Sequence, residues 1–299
     1  MTDNEARDEI DRKYKKLLDA ANGIDNTNHT MNSDNLEKSK PEEQNKKPVD
    51  TSRMVDMMLG KLKEKTIDSD AMIQETQKRV WSSLKQGIEY EATVDRSDEF
   101  LRMHVNEKLP MVVMYVDLVG STDMTLTLPE EKIAIIVSSF AQEMALAIKQ
   151  YDGFTLKFVG DAVIGYFIHA SALIASDNAV SCARSMIRII DEGINPILNN
   201  YDYPDLFIKI GIDHGNNMIV RYGSDNEKSH VDILGPTMNI AAKIQNMAKP
   251  QQILIGEDVY TRIHPSIQEK FKKEVWRKTR WKYHDRETGK LYPVYSFQN

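Results

Sequence analysis

The 299-residue sequence has a single cysteine, Cys182, so no intrachain disulfide can form, and that thiol falls inside an apolar helical pattern that reads as core. Long hydrophobic runs are missing too. The apolar stretch at residues 111–116 is far short of the ~20 residues that a helical membrane span requires, so none is expected. Positive charge is not in surplus: 39 Lys and Arg against 45 Asp and Glu leave a net charge of -6. That removes the global field that draws a protein to nucleic acid or to an anionic membrane, and any bound anion must be held locally. The opening MTDNEARDEIDRKYKK has no apolar stretch behind a basic start, so it does not read as a secretory signal, and the expected location is cytoplasmic. Aromatics are scarce in the first 50 residues, where Tyr14 stands alone. Residues 22–50 are dominated by Asn, Asp, Glu, Lys and Ser, a composition that cannot bury enough apolar surface to fold.

What is present divides the chain in two. Residues 1–105 form an N-terminal segment of helical pieces and a disordered linker, suited to regulation or dimerisation. Its amphipathic pieces carry Ile10, Tyr14, Leu17 and Leu18, then Met54, Met57, Met58 and Leu62, then Val80, Trp81 and Leu84 within a helix expected over 71–88. These faces suit packing on a partner or on a second copy; the alternative is that the segment is only a tether.

Residues 106–299 carry the pattern of a compact α/β unit. A valine-rich strand at 111–116 stops at Asp117, and a helix opening at Pro129, Glu130 and Glu131 follows, with Ile133, Ile136, Val137, Phe140, Met144 and Ile148 on one face. Strands at 154–159 and 162–168 are joined by Gly160-Asp161 alone, which is a tight hairpin. A helix over 177–193 and an alternating strand at 206–212 complete a ferredoxin-like βαββαβ unit with its helices on one side of the sheet. The C-terminal extension adds strands at 218–221, 230–234 and 253–255 and a helix from Pro236, with closing strands expected around Trp276, Trp281, Tyr292, Val294 and Tyr295.

Three segments can carry chemistry. In MYVDLVGST, at residues 114–122, a sheet-anchored Asp117 precedes Gly120, Ser121 and Thr122, whose backbone N–H groups can cup phosphate oxygens. In LKFVGDAVIGYF, at 156–167, Asp161 occupies the hairpin turn and Lys157 the incoming strand. The topology lays that hairpin beside the first strand, so the two aspartates can converge and offer the oxygen ligands that magnesium prefers. In HVDILGPTMNIAAKIQ, at 230–245, Asn239 and Lys243 share one helix face. Each segment also has an ordinary reading, as a cap, a turn or a solvated face. His169 and His214 read as ordinary strand or loop residues.

Together, over about residues 110–265, the segments resemble the class III adenylyl and guanylyl cyclase family. The resemblance implies conversion of ATP to 3′,5′-cyclic AMP and pyrophosphate with two magnesium or manganese ions, held by Asp117, Asp161 and the peptide carbonyl of Leu118. It makes Lys157 and Asp232 the base-reading pair, in which Lys donates to adenine N1 and Asp accepts from the N6 amino group. Guanine presents the opposite pattern. Asn239 matches the residue that orients the ribose, while Lys243 stands where the family usually has an arginine, keeping the charge but losing the planar fork. Lys249 and Arg221 are the cations that compensation for this change would draw on. The family splits metal-binding from base-reading residues between chains, which implies a head-to-tail homodimer with two sites at the interface. Two alternatives stand beside this one: a cyclase acting on GTP, CTP or UTP, against which the Lys157 and Asp232 pair argues, and a catalytically weak cyclase-homology module that binds nucleotide and signals.

Overall fold

The computed structural model describes residues 68–89, 92–223, 225, 228–276, 281–285 and 288–298, all within one compact unit, Lys65–Asn299. The amphipathic pieces expected before residue 66 and the polar run at 22–50 lie outside the described residues.

Two helices come first, α1 (Ser69–Gln86) and α2 (Asp95–Met103), followed by β1 (Lys108–Val119), the short α3 (Ser121–Thr127) and α4 (Glu130–Gln150). The hairpin β2 (Phe154–Val159) and β3 (Ala162–Phe167) leads to α5 (Ala172–Arg188), a π-helical turn (Ile189–Ile194), α6 (Asn195–Asn199) and β4 (Phe207–Tyr222). The extension is β5 (His230–Leu234), α7 (Pro236–Met247), β6 (Gln252–Gly256), α8 (Glu257–Tyr260), α9 (Pro265–Gln268), β7 (Phe271–Lys273) and β8 (Val294–Phe297). The sheet runs β2-β3-β1-β4-β6-β8-β7, with β5 also on β4. Its first four strands have the ferredoxin-like order, β1 lying antiparallel between β3 and β4. Among the described residues no helix is long and apolar enough to cross a membrane.

Alternation along β1 sorts its side chains onto two faces. Val112, Met114, Val116 and Leu118 join Phe140, Met144 and Ile148 of α4 and Ala179, Ala183 and Met186 of α5 in the main core. Cys182 is buried there, and burial pushes its thiol pKa up. Met111 and Val113 point the other way, into a second cluster with Phe154, Ile164 and Tyr166, roofed by Val231 and Ile233 of β5 and by Met238 and Ala241 of α7. The helices of the ferredoxin-like unit thus lie on one face, and the extension's α7 covers part of the other.

Several expected boundaries move. The strand read as ending at Asp117 runs to Val119, because a long β4 pairs with its whole length and holds Asp117 inside the ladder opposite Lys209. The two strands expected at 206–212 and 218–221 are one, β4: His214 to Asn217 look like a polar turn but pair with β1 from Val112 back to Leu109. The helix expected over 177–193 starts earlier and passes into the π-helical turn. Closing strands form at β7 and β8, whereas Trp276 and Trp281 belong to an aromatic cluster on irregular chain, where the Trp281 indole donates to the Tyr292 carbonyl at 2.8 Å.

The helix expected over 71–88 is α1, and it packs on its own domain. Val80 and Leu84 enter the main core. Glu143 of α4, only 2% exposed, receives the Arg79 guanidinium through two bonds of 2.7 Å and the Thr76 hydroxyl at 2.6 Å. The Gln77 amide donates to the Glu192 carbonyl in the π-helical turn at 2.8 Å. Removing one partner of a buried pair strands the other charge, so Arg79→Met is expected to cost about 3 kcal/mol in denaturant unfolding. Adding Glu143→Leu should recover part of that loss.

A second buried carboxylate ties the extension to β4. Asp213 is fully buried and accepts the Tyr292 phenol at 2.7 Å, and the site exists because Gly256 has no Cβ, which would lie 2.2 Å from Oδ1. Burial, and then the Asp258 charge, raise the Asp213 pKa well above the ordinary range, against the Tyr292 bond. A carboxyl whose folded pKa is raised binds more protons in the folded than in the unfolded state, so its contribution weakens as pH rises through that window. Asp213→Asn keeps an acceptor for Tyr292 and removes the charge. Its stability relative to the parent is expected to improve by on the order of 1–3 kcal/mol as pH rises from the ordinary carboxylate range through the raised folded value, and to level off above it; an offset constant across a pH series of unfolding curves would refute this.

Candidate active site

The two aspartates are brought together by register. Asp117 pairs across the β1–β3 ladder with Ala162, which places Asp161, the last residue of the hairpin turn, beside it. Gly160 supplies the positive φ of 62° that the two-residue turn uses. Burial, followed by the Asp161 charge, pushes the Asp117 carboxyl pKa up, while a donor from Gln245 and the charge of Lys209 pull it down.

The Leu118 carbonyl can be placed from its neighbours. Ile208 gives its N–H to Gln251 Oε1 at 3.0 Å and its carbonyl accepts the Gln251 N–H at 2.7 Å, so neither group faces β1. In an antiparallel ladder the Leu118–Ile208 pair then lacks mutual bonds, and Leu118 turns its own carbonyl to the opposite edge, toward Asp161. Two carboxylates and a carbonyl are hard oxygen donors of the kind magnesium or manganese accepts, with water and phosphate completing the sphere. Among the described residues no group of three or more His, Cys, Asp or Glu is arranged to hold a metal. The donor set fits an ion shared with a substrate.

Immediately beyond β1, Gly120 takes a left-handed conformation (φ 80°, ψ 11°) and Ser121 and Thr122 open α3, where no side chain caps the first turn.

Lys157 and Asp232 form an ion pair within the one chain. A register shift at Leu156 sets Lys157 opposite Ile164, itself opposite Tyr115, so Lys157, Tyr115 and Asp117 share a sheet face. The β4–β5 hairpin brings Asp232 over this face, where it is 15% exposed. Its second oxygen accepts the Ile233 N–H at 2.9 Å. The Tyr115 phenol pKa is raised by burial and then by the Asp232 charge, which marks the two as neighbours.

Asn239 and Lys243 are not brought to Asp117. They form an exposed stripe on α7, while Met238, Ala241 and Gln245 of the same helix face the sheet. One chain therefore presents an aspartate cluster, a Lys–Asp pair and an outward-facing Asn–Lys stripe. His169 accepts the Ser171 N–H at 2.9 Å just after β3, and His214 lies within β4.

Gln245, Tyr115 and Lys209 escape the sequence reading. Polarity on the buried side of α7 does not single out Gln245, because Thr237 is polar and buried on the same helix.

Residues 103–292 match the family profile of the adenylate and guanylate cyclase catalytic domain. A cytidylate cyclase of Staphylococcus aureus is 28% identical over 184 residues, covering 58% of this chain and 43% of that protein. A uridylate cyclase of Burkholderia cepacia is 27% identical over 197 residues, covering 64% and 83%. The chain spans 34–43% of the length of the cytidylate cyclases that it matches. In fold it is similar to the adenylyl cyclase CyaB of P. aeruginosa, with a TM-score of 0.55 at 20% identity over 64% of this chain and 95% of that one.

Proposed function

Because the chain belongs to the adenylate and guanylate cyclase catalytic-domain family, the class III nucleotidyl cyclases, we propose that it converts ATP to 3′,5′-cyclic AMP and pyrophosphate. The observation that carries the choice of an amino-bearing base over guanine and uracil is the Lys157–Asp232 pair, a fixed donor beside a fixed acceptor on a half-buried sheet face. Adenine offers N1 as acceptor and its N6 amino group as donor, so it can take over both halves of the pair.

Asp117, Asp161 and the Leu118 carbonyl would hold two magnesium or manganese ions, which when bound supply the Lewis acidity that activates the ribose 3′ hydroxyl and balances the charge of the leaving pyrophosphate. In the reaction the 3′ oxygen forms a bond to the α-phosphorus as the bond from that phosphorus to the bridging oxygen breaks, and the hydroxyl proton leaves to solvent. Asn239 orients the ribose, and Lys243 sets a positive charge on the pentavalent phosphate. The Gly120–Thr122 turn faces the phosphates. The exposure of Asn239 and Lys243 on α7 supports a head-to-tail homodimer in which they complete the partner's site. Lys243 offers a single charged head where a guanidinium would hold two phosphate oxygens at once, which lowers the transition-state contribution expected of this position.

A second reading has a specific observation behind it: relatives named cytidylate cyclase match this chain. Cytosine presents the same edge as adenine, with N3 as acceptor and the N4 amino group as donor, so the same pair can read CTP. Incubation with each of the four nucleoside triphosphates and magnesium or manganese, with the product identified by mass and pyrophosphate quantified, tests both readings. A silent nucleotide-binding module would give no pyrophosphate with any of them.

A further inference from the structure

Gln245 is 5% exposed, and its side-chain amide donates to Asp117 Oδ2 at 3.0 Å. The contact depends on how closely α7 approaches the sheet. A Cβ on Gly211 would lie 2.2 Å from the Gln245 nitrogen and 2.5 Å from the Ala241 carbonyl oxygen, so only glycine lets the helix backbone rest on β4. Gly211 stands opposite Tyr115 and Lys209 opposite Asp117, so the helix is seated one strand away from the aspartate. The amide has the right chemistry for the place. It binds one carboxylate oxygen without adding a charge, and it leaves Oδ1 and the second lone pair of Oδ2 to other partners.

We infer that Gln245 is a positioning residue that fixes the Asp117 carboxylate for metal binding from the helix that also carries Asn239 and Lys243. This rests on the proposal that Asp117 holds the metal. A group supporting a ligand from behind sets its rotamer, and its loss weakens metal affinity ~10–100-fold. Because Asn239 and Lys243 ride on the same helix, α7 relates the position of the outward stripe to that of Asp117 within each chain.

The test is manganese binding to the nucleotide-free full chain, read by electron paramagnetic resonance, together with thermal unfolding in the absence of metal. Gln245→Met preserves the length and bulk of the side chain and removes the donor. The expected result is manganese affinity weaker by ~10–100-fold with a thermal midpoint close to that of the parent. Asp117→Ala should abolish the same binding. Gln245→Glu replaces the donor by a carboxylate facing Asp117 and Asp161, so its midpoint should fall without metal and recover with manganese. If Asp117→Ala abolishes binding while Gln245→Met binds like the parent, the role of Gln245 is overturned. Parent-like binding in Asp117→Ala would instead remove the metal assignment beneath it. Should Gln245→Met fold poorly, Gln245→Glu decides alone, and the absence of any manganese-dependent recovery counts against the proposal.

Discussion

Offered the four nucleoside triphosphates singly, the protein is expected to cyclise ATP, to accept CTP to a measurable degree, and to discriminate against GTP and UTP by about 10⁴-fold in kcat/KM. The reason lies in the state of the pair before substrate arrives. Lys157 and Asp232 satisfy each other in the free protein. A base that enters must separate them, and the separation is repaid only if the base gives an acceptor to the lysine and a donor to the aspartate. Adenine and cytosine do both. Guanine and uracil place a carbonyl oxygen against the aspartate and a ring N–H against the lysine, leaving two charged groups desolvated and unpaired, where each such loss costs ~1–3 kcal/mol or more. Exchanging the two polarities, Lys157→Glu with Asp232→Lys, should reverse the order and favour GTP and UTP. A parent enzyme that prefers GTP or UTP would overturn the role given to this pair.

How much of this was legible in the sequence depended on whether a feature was local. The Gly160-Asp161 turn and the amphipathic helix after Pro129 are written in neighbouring residues, and the structure has both. The approach of Asp161 to Asp117 followed from the order of elements, because the crossover through α4 leaves room for β3 to enter beside β1. The continuity of β4 was hidden: His214, Asn216 and Asn217 have little strand preference and are held by pairing with β1, a tertiary effect that overrides propensity. The docking of α1 was hidden as well, since a helix with Val80 and Leu84 on one face reads alike whether it covers its own domain or a partner. Gln245 was hidden most deeply, because its meaning depends on a glycine 34 positions earlier that allows the helix to rest on the sheet.

The sharpest consequence of the proposed assembly is that two inactive proteins should make an active one. Asp161→Ala removes half of the carboxylate pair and is expected to lower pyrophosphate release by at least ~1,000-fold, while nucleotide binding persists through contacts from the other chain. Lys157→Ala combined with Asn239→Ala keeps both aspartates but cannot hold base or ribose, so it too should be inactive. In a head-to-tail dimer of one chain of each kind, one interface collects both defects and the other collects none. Equal mixing yields such dimers in about half of the population, each with one working site of two, so about a quarter of the parent activity should return. The exposure of Asn239 and Lys243, set apart from Asp117 of their own chain, is the structural ground for expecting this. If Asp161→Ala retains parent turnover, the aspartate pair is not the metal site. If it is inactive but mixing restores nothing, although sizing shows that the two variants still associate, the site is built within one chain, and the outward stripe of α7 needs another explanation.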